Sequence, residues 1–478
     1  MPKGRVAQRF DLPRPLPAPG QTRQGAAYQA LRDAILSGLL PAGSALPSSR
    51  GLAERWQLAR GTLEEVFDRL RLEGYIERRV GAGSRVRAVL PEFYHRAPPP
   101  PAPRALAEPL AAVPAAGRPR VGVPFAARLA NPQLLAPAVW GRHLQRAMAG
   151  LRPEQLGEAE AQGALALREQ VAAYLRSQRG IPCQADELII THGIRHGLDL
   201  VARCLLRPGD GVAVEDPGYP VARRIFQQAG ARVQHARVDE QGLDPASLGA
   251  GLRLAYVTPA HQSPLGASLP AERRLGLLAW AEREQAWVLE DDYDSQFNYR
   301  SAPLPALKAI DRGERVIYCG SFNQALFANL RVGYLLAPRP VREQVLGLWQ
   351  VVGRSVGISE QLGLAAFMAS GDYQRHLRRA RLHYQGLRDT LLAELASAAP
   401  GCRVSGEHAG FHLTLWLPAG CDEARLLARG QAAGLDLYPL SQACHGTRLP
   451  PALILGYAAL APAQVRQAAR VLVGLLAG

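Results

Sequence analysis

A proline-rich stretch that can form neither a helix nor a central strand separates this chain into two parts. It covers about residues 96–124 and includes four consecutive prolines at 98–101. Such a segment cannot form a helix or a central strand, and where extended it is a semi-rigid spacer of ~3.1 Å per residue. We therefore expect two folded domains at residues 23–90 and 123–478, joined by a proline-rich linker at 91–122. A second proline-rich segment, at 1–22, is an N-terminal arm.

The residues before the linker have the periodicity of three short helices followed by a hairpin. Apolar residues recur at helical spacing within 28–36, 52–56 and 63–70, and a serine is available to cap the second helix. Gly81 and Gly83 then permit a tight turn between two strands. This order predicts a winged helix–turn–helix. The apolar face of its first helix is Tyr28, Leu31, Ile35 and Leu36.

The composition disfavours a metalloprotein, a disulfide-bonded protein or a membrane protein, and it is compatible with binding to nucleic acid. The six cysteines are scattered without a C-x-x-C pair, which disfavours zinc and disulfides, so no metal is expected and a reducing cytoplasm fits. No apolar run reaches the ~20 residues that span a bilayer, so no membrane partner is expected. The net charge of +15 attracts polyanions such as nucleic acid, although the chain prefers arginine throughout.

The first domain closely resembles the GntR winged-helix family. The matching segments are LRDAI (31–35), GLLP (38–41), LPSSR (46–50), LA (52–53) and EGY (73–75). The resemblance implies that double-stranded operator DNA is the partner. It implies contacts from Arg50, Arg60 and Thr62, and insertion of the Gly81–Gly83 wing into the minor groove. One departure is Ala59, where the family often has serine or threonine.

Beyond the linker, short apolar strands alternate with helices. Strands are predicted near residues 187–191, 211–214, 254–257 and 286–290. Alternation of this kind indicates an α/β fold with a largely parallel sheet covered by helices. Ligands of such sheets bind beyond the carboxyl ends of the strands.

This second part resembles the pyridoxal-phosphate-dependent transferases, that is, the aminotransferases of class I/II and fold-type I. The matching segments are GDGVAVEDPGYP (209–220), VTPAHQ (257–262), EDDYDS (290–295), GSF (320–322) and LRVGY (330–334). A winged helix joined to such a domain is the architecture of the MocR/GabR subfamily of GntR regulators. The resemblance implies a homodimer that reads paired half-sites.

The resemblance also implies a cofactor site for pyridoxal 5′-phosphate. Asp291 would pair with the pyridinium nitrogen, Tyr293 would hydrogen-bond the phenolic oxygen, and Tyr219 would stack on the ring. Ser321 and Arg331 would hold the phosphate. Ser263 stands where typical aminotransferases have asparagine.

Gln324 occupies the position of the family's Schiff-base lysine. The family pattern is Gly-Ser-Phe-Ser-Lys, whereas this chain has Gly-Ser-Phe-Asn-Gln at 320–324. An amide can hydrogen-bond, but it has no nucleophilic amine. The only lysines are Lys3, in the arm, and Lys308, on the preceding connection. No catalytic residue is therefore expected, and any bound pyridoxal phosphate is held noncovalently.

Three interpretations remain at this stage. The first is a transcriptional regulator whose large domain senses a small molecule, either pyridoxal phosphate or an amino-acid-related ligand. The second is an active aminotransferase with an appended DNA-binding module, against which Gln324 argues. In the third, the cavity has lost the cofactor and binds another anion through Arg331, Arg195, His192 and His196. The two histidines are four positions apart, however, and are better interpreted as surface residues of a helix.

Overall fold

The computed structural model describes residues 12–79, 83–91, 122–127, 129–157, 160–299, 305–398 and 401–477. These residues form two compact units, one before and one after the proline-rich linker. Each unit is described by itself below. No helix in the described ranges is long and apolar enough to cross a membrane.

The first unit has the predicted order of three helices and a hairpin. Thr22 and Ser48 cap the first two helices by accepting hydrogen bonds from the backbone N–H groups of Gly25 and Gly51, whereas Ala59 gives the third no side-chain cap. The elements are α1 (Arg23–Leu36), α2 (Ser49–Trp56), α3 (Arg60–Leu72), β1 (Ile76–Arg79) and β2 (Gly83–Val86). The strands pair antiparallel, with Ile76 opposite Val86 and Arg79 opposite Gly83.

One core holds this unit together and includes part of the N-terminal arm. Leu12 is buried in it, and its carbonyl accepts a hydrogen bond from Trp56 Nε1 at 3.1 Å. Of the four apolar residues at helical spacing in α1, Tyr28, Leu31 and Ile35 are buried, whereas Leu36 is 39% exposed at the end of the helix. The core residues of the three helices are Ala27, Tyr28, Leu31, Ala34, Ile35, Leu52, Ala53, Trp56, Leu63, Val66, Phe67 and Leu70.

The second unit is built on a mixed, mainly parallel sheet. Its described strands are β3 (Leu188–Thr191), β4 (Gly211–Asp216), β5 (Arg232–Asp239), β6 (Gly242–Leu243), β7 (Leu252–Val257), β8 (Trp287–Asp292), β9 (Val316–Ser321) and β10 (Gly333–Leu336). Their order is β3-β10-β9-β8-β7-β4-β5-β6. Neighbours from β9 to β5 run parallel, while β10 is antiparallel to both β3 and β9. The predicted strands are confirmed, and β10 is an antiparallel addition that the pattern did not reveal.

Helices α8 and α9 connect parallel strands of this sheet. The described helices of the second unit are α4 (Pro137–Ala149), α5 (Pro153–Gly157), α6 (Leu165–Tyr174), α7 (Ile194–Leu205), α8 (Pro220–Gln228), α9 (Ala271–Arg283), α10 (Arg339–Val352), α11 (Ile358–Ala369), α12 (Asp372–Ala398), α13 (Glu423–Ala432) and α14 (Pro462–Ala477). The crossovers bring the carboxyl ends of β7, β8 and β9 to one edge of the sheet, which is where ligands of such folds bind.

A second, smaller sheet follows α12. Its described strands are β11 (Arg403–Ser405), β12 (His412–Trp416), β13 (Tyr438–Pro439) and β14 (Ala452–Gly456), in the order β11-β12-β14-β13 and all antiparallel. It shares an apolar core with α12 and α14. The segment between β11 and β12 contacts the loop that follows β8, since Asn298 bridges to Ala409, and it contributes Phe411 to the cavity at the strand ends.

Candidate functional site

A cavity of about 250 Å³ lies at the carboxyl ends of the central strands. All six residues predicted to face the cofactor line it, as do several that were not predicted. The wall consists of His192, Gly193, Ile194, Arg195, Tyr219, Tyr256, Thr258, Ser263, Asp291, Tyr293, Ser321, Asn323, Gln324, Ala328, Arg331 and Phe411. The topology thus brings together residues that are more than 200 positions apart in the sequence.

Asp291 is a buried carboxylate with one oxygen left to bind a ligand. It ends β8 and is 4% exposed. Its Oδ2 accepts a hydrogen bond from the Tyr256 hydroxyl at 2.6 Å, whereas Oδ1 has no hydrogen-bond partner among the described residues. Burial raises the pKa of Asp291 to about 7. A cationic N–H in the cavity would satisfy Oδ1 and keep the carboxylate ionised, which is what a pyridinium nitrogen offers.

Gly193 shapes the part of the cavity that suits an anion. It precedes α7 with a φ of +79°, and a Cβ there would lie 2.8 Å from Asn323 Nδ2, so only glycine fits. Gly193 also supplies no capping side chain to the N–H groups that begin α7, and such groups bind phosphate. Ser321, at the end of β9, and Arg331 lie in the same wall.

Asn323 was missed by sequence reasoning. Its backbone N–H donates to Ser321 Oγ at 3.1 Å, and its side-chain oxygen accepts from the Val332 N–H at 3.2 Å. These two bonds tie the turn after β9 to the segment before β10 and orient Ser321. In the sequence, Asn323 could be noticed only because it precedes Gln324 at 320–324. That position does not indicate a contact with Val332.

Tyr219 and the basic residues lie on the same side of the cavity. Arg195 Nε donates to the Tyr219 hydroxyl at 3.0 Å. The interpretation of His192 and His196 as two surface helix residues is wrong for His192, which precedes α7 and lines the cavity. Its backbone N–H donates to His196 Nδ1 at 3.0 Å. Burial lowers the pKa of both histidines, to about 4 for His196, so neither is a cation at neutral pH.

Gln324 lies in the wall beside these groups. Lys308 is elsewhere: its Nζ lies 2.9 Å from Asp311 Oδ2, and it does not line the cavity. Lys3 falls outside the described residues. Within the described wall, the ionisable groups are thus carboxylate, phenol, imidazole and guanidinium, with no amine.

The predicted DNA contacts lie on the surface of the first unit. Arg50, in α2, is 77% exposed and pairs with Glu54 at 3.4 Å, while Arg60, at the start of α3, is 69% exposed and lies 3.9 Å from Glu64. Such exposed pairs are weak, so both guanidinium groups remain available to a polyanion. Thr62 is half-buried in the first turn of α3.

The hairpin adds further basic groups to this unit. Gly83 begins β2 with a φ of +75°, while Gly81 lies outside the described residues. Arg78 donates to Glu64 at 3.0 Å, and Arg85 donates to the Gly43 carbonyl at 2.9 Å. Arg78 therefore ties the hairpin to α3, and Arg85 ties it to the loop between α1 and α2.

Comparison with known proteins matches both units to families. Residues 23–86 match the bacterial regulatory proteins of the gntR family, and residues 129–432 match aminotransferase class I and II. The chain is similar to solved aminotransferases, including an archaeal alanine:glyoxylate aminotransferase (25% identity, TM-score 0.69, 74% of this chain and 90% of that one). It is also similar to the α-aminoadipate aminotransferase of Thermus thermophilus (25% identity, TM-score 0.68, 75% and 93%). The predicted fold class is confirmed.

Curated relatives share the whole two-part architecture. The pyridoxine biosynthesis transcriptional regulator PdxR of Corynebacterium glutamicum is 33% identical over 435 residues, which are 90% of each chain. The probable rhizopine catabolism regulatory protein MocR of Rhizobium meliloti is 31% identical over 461 residues, 92% of this chain and 91% of that one. The transcriptional regulator TauR of Rhodobacter capsulatus is 33% identical over 429 residues, 86% and 87%. The chain therefore belongs to the MocR/GabR subfamily of GntR-family DNA-binding transcriptional regulators, with an aminotransferase-like domain after its winged helix.

Proposed function

We propose that this regulator senses pyridoxal 5′-phosphate, which the cavity holds without a covalent bond. The observation that carries the proposal is the buried Oδ1 of Asp291, which has no hydrogen-bond partner among the described residues and lies in the same wall as Gln324. The carboxylate can satisfy a pyridinium nitrogen, whereas the amide cannot form the covalent link that transamination needs. The described wall would then bind the ring and phosphate while offering no amine to start transamination.

Each end of the proposed ligand has a counterpart in the wall. Ser321, Arg331 and the first turn of α7 would hold the phosphate. Tyr219 would stack on the ring and Tyr293 would hydrogen-bond the phenolic oxygen, with Ser263 nearby. When bound, pyridoxal phosphate supplies an aldehyde and an electron-accepting ring. The name of the relative PdxR, a regulator of pyridoxine biosynthesis, supports this choice of effector.

The output of the proposed sensor is a change in DNA binding by a homodimer. Arg50, Arg60, Thr62 and the wing at Gly83 would contact the two half-sites of the operator. Pyridoxal phosphate can shift this equilibrium only if it binds two arrangements of the protein with different affinity. We also place the domain boundaries at residues 22/23, 90/91 and 122/123. The regulator is proposed to act in the cytoplasm. All six cysteines are free thiols, which suits a reducing compartment.

Binding of pyridoxal phosphate to the full-length protein tests the proposal. We expect saturable binding that dialysis reverses and that Arg331→Ala weakens about 10-fold or more, the effect of one charge-assisted hydrogen bond. Arg339→Ala is the matched control, because Arg339 is an exposed arginine outside the cavity that pairs with Glu343. Absence of binding, or an equal effect of the two variants, would contradict the assigned site.

A second measurement separates binding from sensing. Affinity for the protein's own upstream DNA is determined at fixed salt with and without saturating pyridoxal phosphate. Sensing predicts a change in affinity or in the protected length of DNA, and an unchanged complex rejects it. If inorganic phosphate binds through Arg331 and Arg195 while pyridoxal phosphate does not, the cavity serves another anion.

A further inference from the structure

A second cavity lies at the edge of the main sheet opposite the proposed cofactor site. Its volume is about 380 Å³. Arg253, near the start of β7, and Trp287, the first residue of β8, line it together with Cys204 at the end of α7. The first turns of α10 complete the described wall. The cavity is therefore at the amino ends of the parallel strands, whereas the first cavity is at their carboxyl ends.

Three elements of the fold contribute to both cavities. β7 supplies Arg253 to the second cavity and Tyr256 to the first, and β8 supplies Trp287 and Asp291 in the same way. α7 begins in the wall of the first cavity and ends in the wall of the second. The residues that one element gives to the two cavities are about 10 to 15 Å apart along the chain axis. The second cavity is thus a separate site on the same framework.

Two guanidinium groups give the second cavity its positive charge. The side chains of Arg207 and Arg253 form no hydrogen bond or ion pair with another described residue, and no carboxylate is among the described residues of the wall. Two acidic residues close to the wall along the chain are already occupied: Asp210 accepts the backbone N–H of Arg207 at 2.8 Å, and Glu343 pairs with Arg339 at 2.7 Å. The first turn of α10 adds the positive end of a helix dipole. The cavity therefore favours an anion.

The second cavity also has an apolar surface. Trp287, Leu205 and Val341 supply an aromatic ring and alkyl groups. The guanidinium carbon of Arg315 lies 5.4 Å from the centroid of the Trp287 ring and helps to hold it in place. Burial raises the pKa of the Cys204 thiol to about 11, so this side chain is neutral and adds to the apolar surface. An inorganic ion would leave this surface uncovered, whereas an organic anion would bury it.

We propose that the second cavity binds a small organic anion, which places its carboxylate or phosphate group on Arg207 and Arg253 and its apolar body against Trp287. Guanidinium groups bind both kinds of oxyanion through paired, charge-assisted hydrogen bonds. An apolar wall with a few charged groups is typical of small-molecule sites. This site goes beyond the proposed function, because it requires neither pyridoxal phosphate nor any residue of the first cavity.

Ligand-observed NMR with the full-length protein tests the proposal with four probes. Benzoate and phenyl phosphate combine a ring with an anionic group, whereas benzamide has no charge and inorganic phosphate has no ring. We expect saturable binding of at least one of the two organic anions, with benzamide and inorganic phosphate binding about 10-fold more weakly or worse. The preferred organic anion identifies the charged group that the site takes. Failure of both organic anions to bind, or equally strong binding of benzamide or inorganic phosphate, overturns the proposal.

Variants of the wall assign the binding to this cavity. Arg253→Gln and Arg207→Gln should each weaken binding of the preferred probe about 10-fold, the effect of one charge-assisted hydrogen bond. Arg312→Gln is the matched control, because Arg312 is an exposed arginine before β9, at the same edge of the sheet but outside the wall. Gln344→Trp replaces an exposed residue of the wall, so it should fill the cavity and abolish binding without disturbing the fold.

One further variant separates the two cavities. Arg331→Ala alters the first cavity only, so the affinity of the preferred probe should be unchanged. A loss of binding in Arg331→Ala that exceeds the loss in Arg253→Gln would place the probe in the first cavity and overturn the proposal. Equal losses in Arg253→Gln and Arg312→Gln would mean that general positive charge attracts the probe, and this result also overturns it. Neither outcome bears on the binding of pyridoxal phosphate, which is measured separately.

Discussion

The arginines proposed to contact DNA are exposed on the first unit, whereas two aspartates near the cavity of the second unit are buried. Arg50 and Arg60 are mostly exposed and form only weak pairs with neighbours on the same helix. Asp291 and Asp294 are nearly inaccessible, and their environments alter their proton affinity. Replacing an exposed arginine should change ligand binding with little effect on folding. Replacing a buried carboxylate, or giving it a charged partner, should change the stability of the whole domain.

The largest expected effect is on the buried side of this comparison. Burial raises the pKa of Asp291 to about 7, so the folded, ligand-free domain binds this proton more tightly than the unfolded chain does. The free energy of unfolding therefore falls as the pH rises from about 4 to about 7. Asn at position 291 cannot ionise, so the Asp291→Asn variant does not lose stability as the pH rises. The substitution should raise the free energy of unfolding of the ligand-free domain by about 2 to 4 kcal/mol at pH 8, with little change at pH 4. Urea unfolding at both pH values measures it.

An aspartate with the opposite environment provides the control. Hydrogen bonds from Arg273 lower the pKa of Asp239, so its ionised form stabilises the fold at neutral pH. Asp239→Asn should therefore reduce stability at pH 8. If both substitutions shift the unfolding midpoint in the same direction, burial does not govern Asp291 as described.

An intermediate effect is expected on the exposed side. Arg60→Ala should weaken specific DNA binding by about 1 to 3 kcal/mol without changing the unfolding of the module. Arg71→Ala is the control, because Arg71 lies near the other end of α3 and is also exposed, paired with Asp68 at 3.3 Å. Gel-shift titrations at fixed salt compare the two. Equal losses would mean that general charge, not the start of α3, directs binding.

The smallest effect concerns the start of α3. Ala59 leaves this helix without a side-chain cap, whereas Ser48 caps α2. Ala59→Ser should stabilise the module by about 1 kcal/mol, and Ser48→Ala should destabilise it by a similar amount. Thermal unfolding of the two variants measures both. A loss of stability in Ala59→Ser would show that its backbone cannot present a capping hydroxyl.

The module could be predicted almost completely because its determinants are local. The spacing of Leu63, Val66 and Phe67 and the start of α3 at Arg60 are both confirmed. The exposure of Leu36 also has a local cause, since the last turn of a helix often turns its apolar residues outward from a small core. Nothing in the local pattern indicated that Leu12 joins that core, because its partner Trp56 lies 44 positions away.

The cavity was predictable only where a family resemblance supplied positions. Tyr256 bonds Asp291 across 35 positions, and His261 reaches the Gly406 carbonyl across 145. Contacts of this kind depend on strand order, which hydrophobic periodicity does not specify. The same holds for β10, whose antiparallel pairing with β3 and β9 follows from the topology and not from its four residues.

The identity of residue 324 tests the central claim most directly. Full-length protein is incubated with pyridoxal phosphate, treated with borohydride and weighed by mass spectrometry, beside the Gln324→Lys variant. We predict no covalent adduct within the cavity wall of the unaltered protein and an adduct at residue 324 of the variant, because the rest of the cavity remains able to bind the ring and phosphate. Peptide mapping locates the adducts, since the N-terminal amine, Lys3 and Lys308 can also react. An adduct within the cavity wall of the unaltered protein, or no adduct at residue 324 of a folded Gln324→Lys variant, would contradict the account.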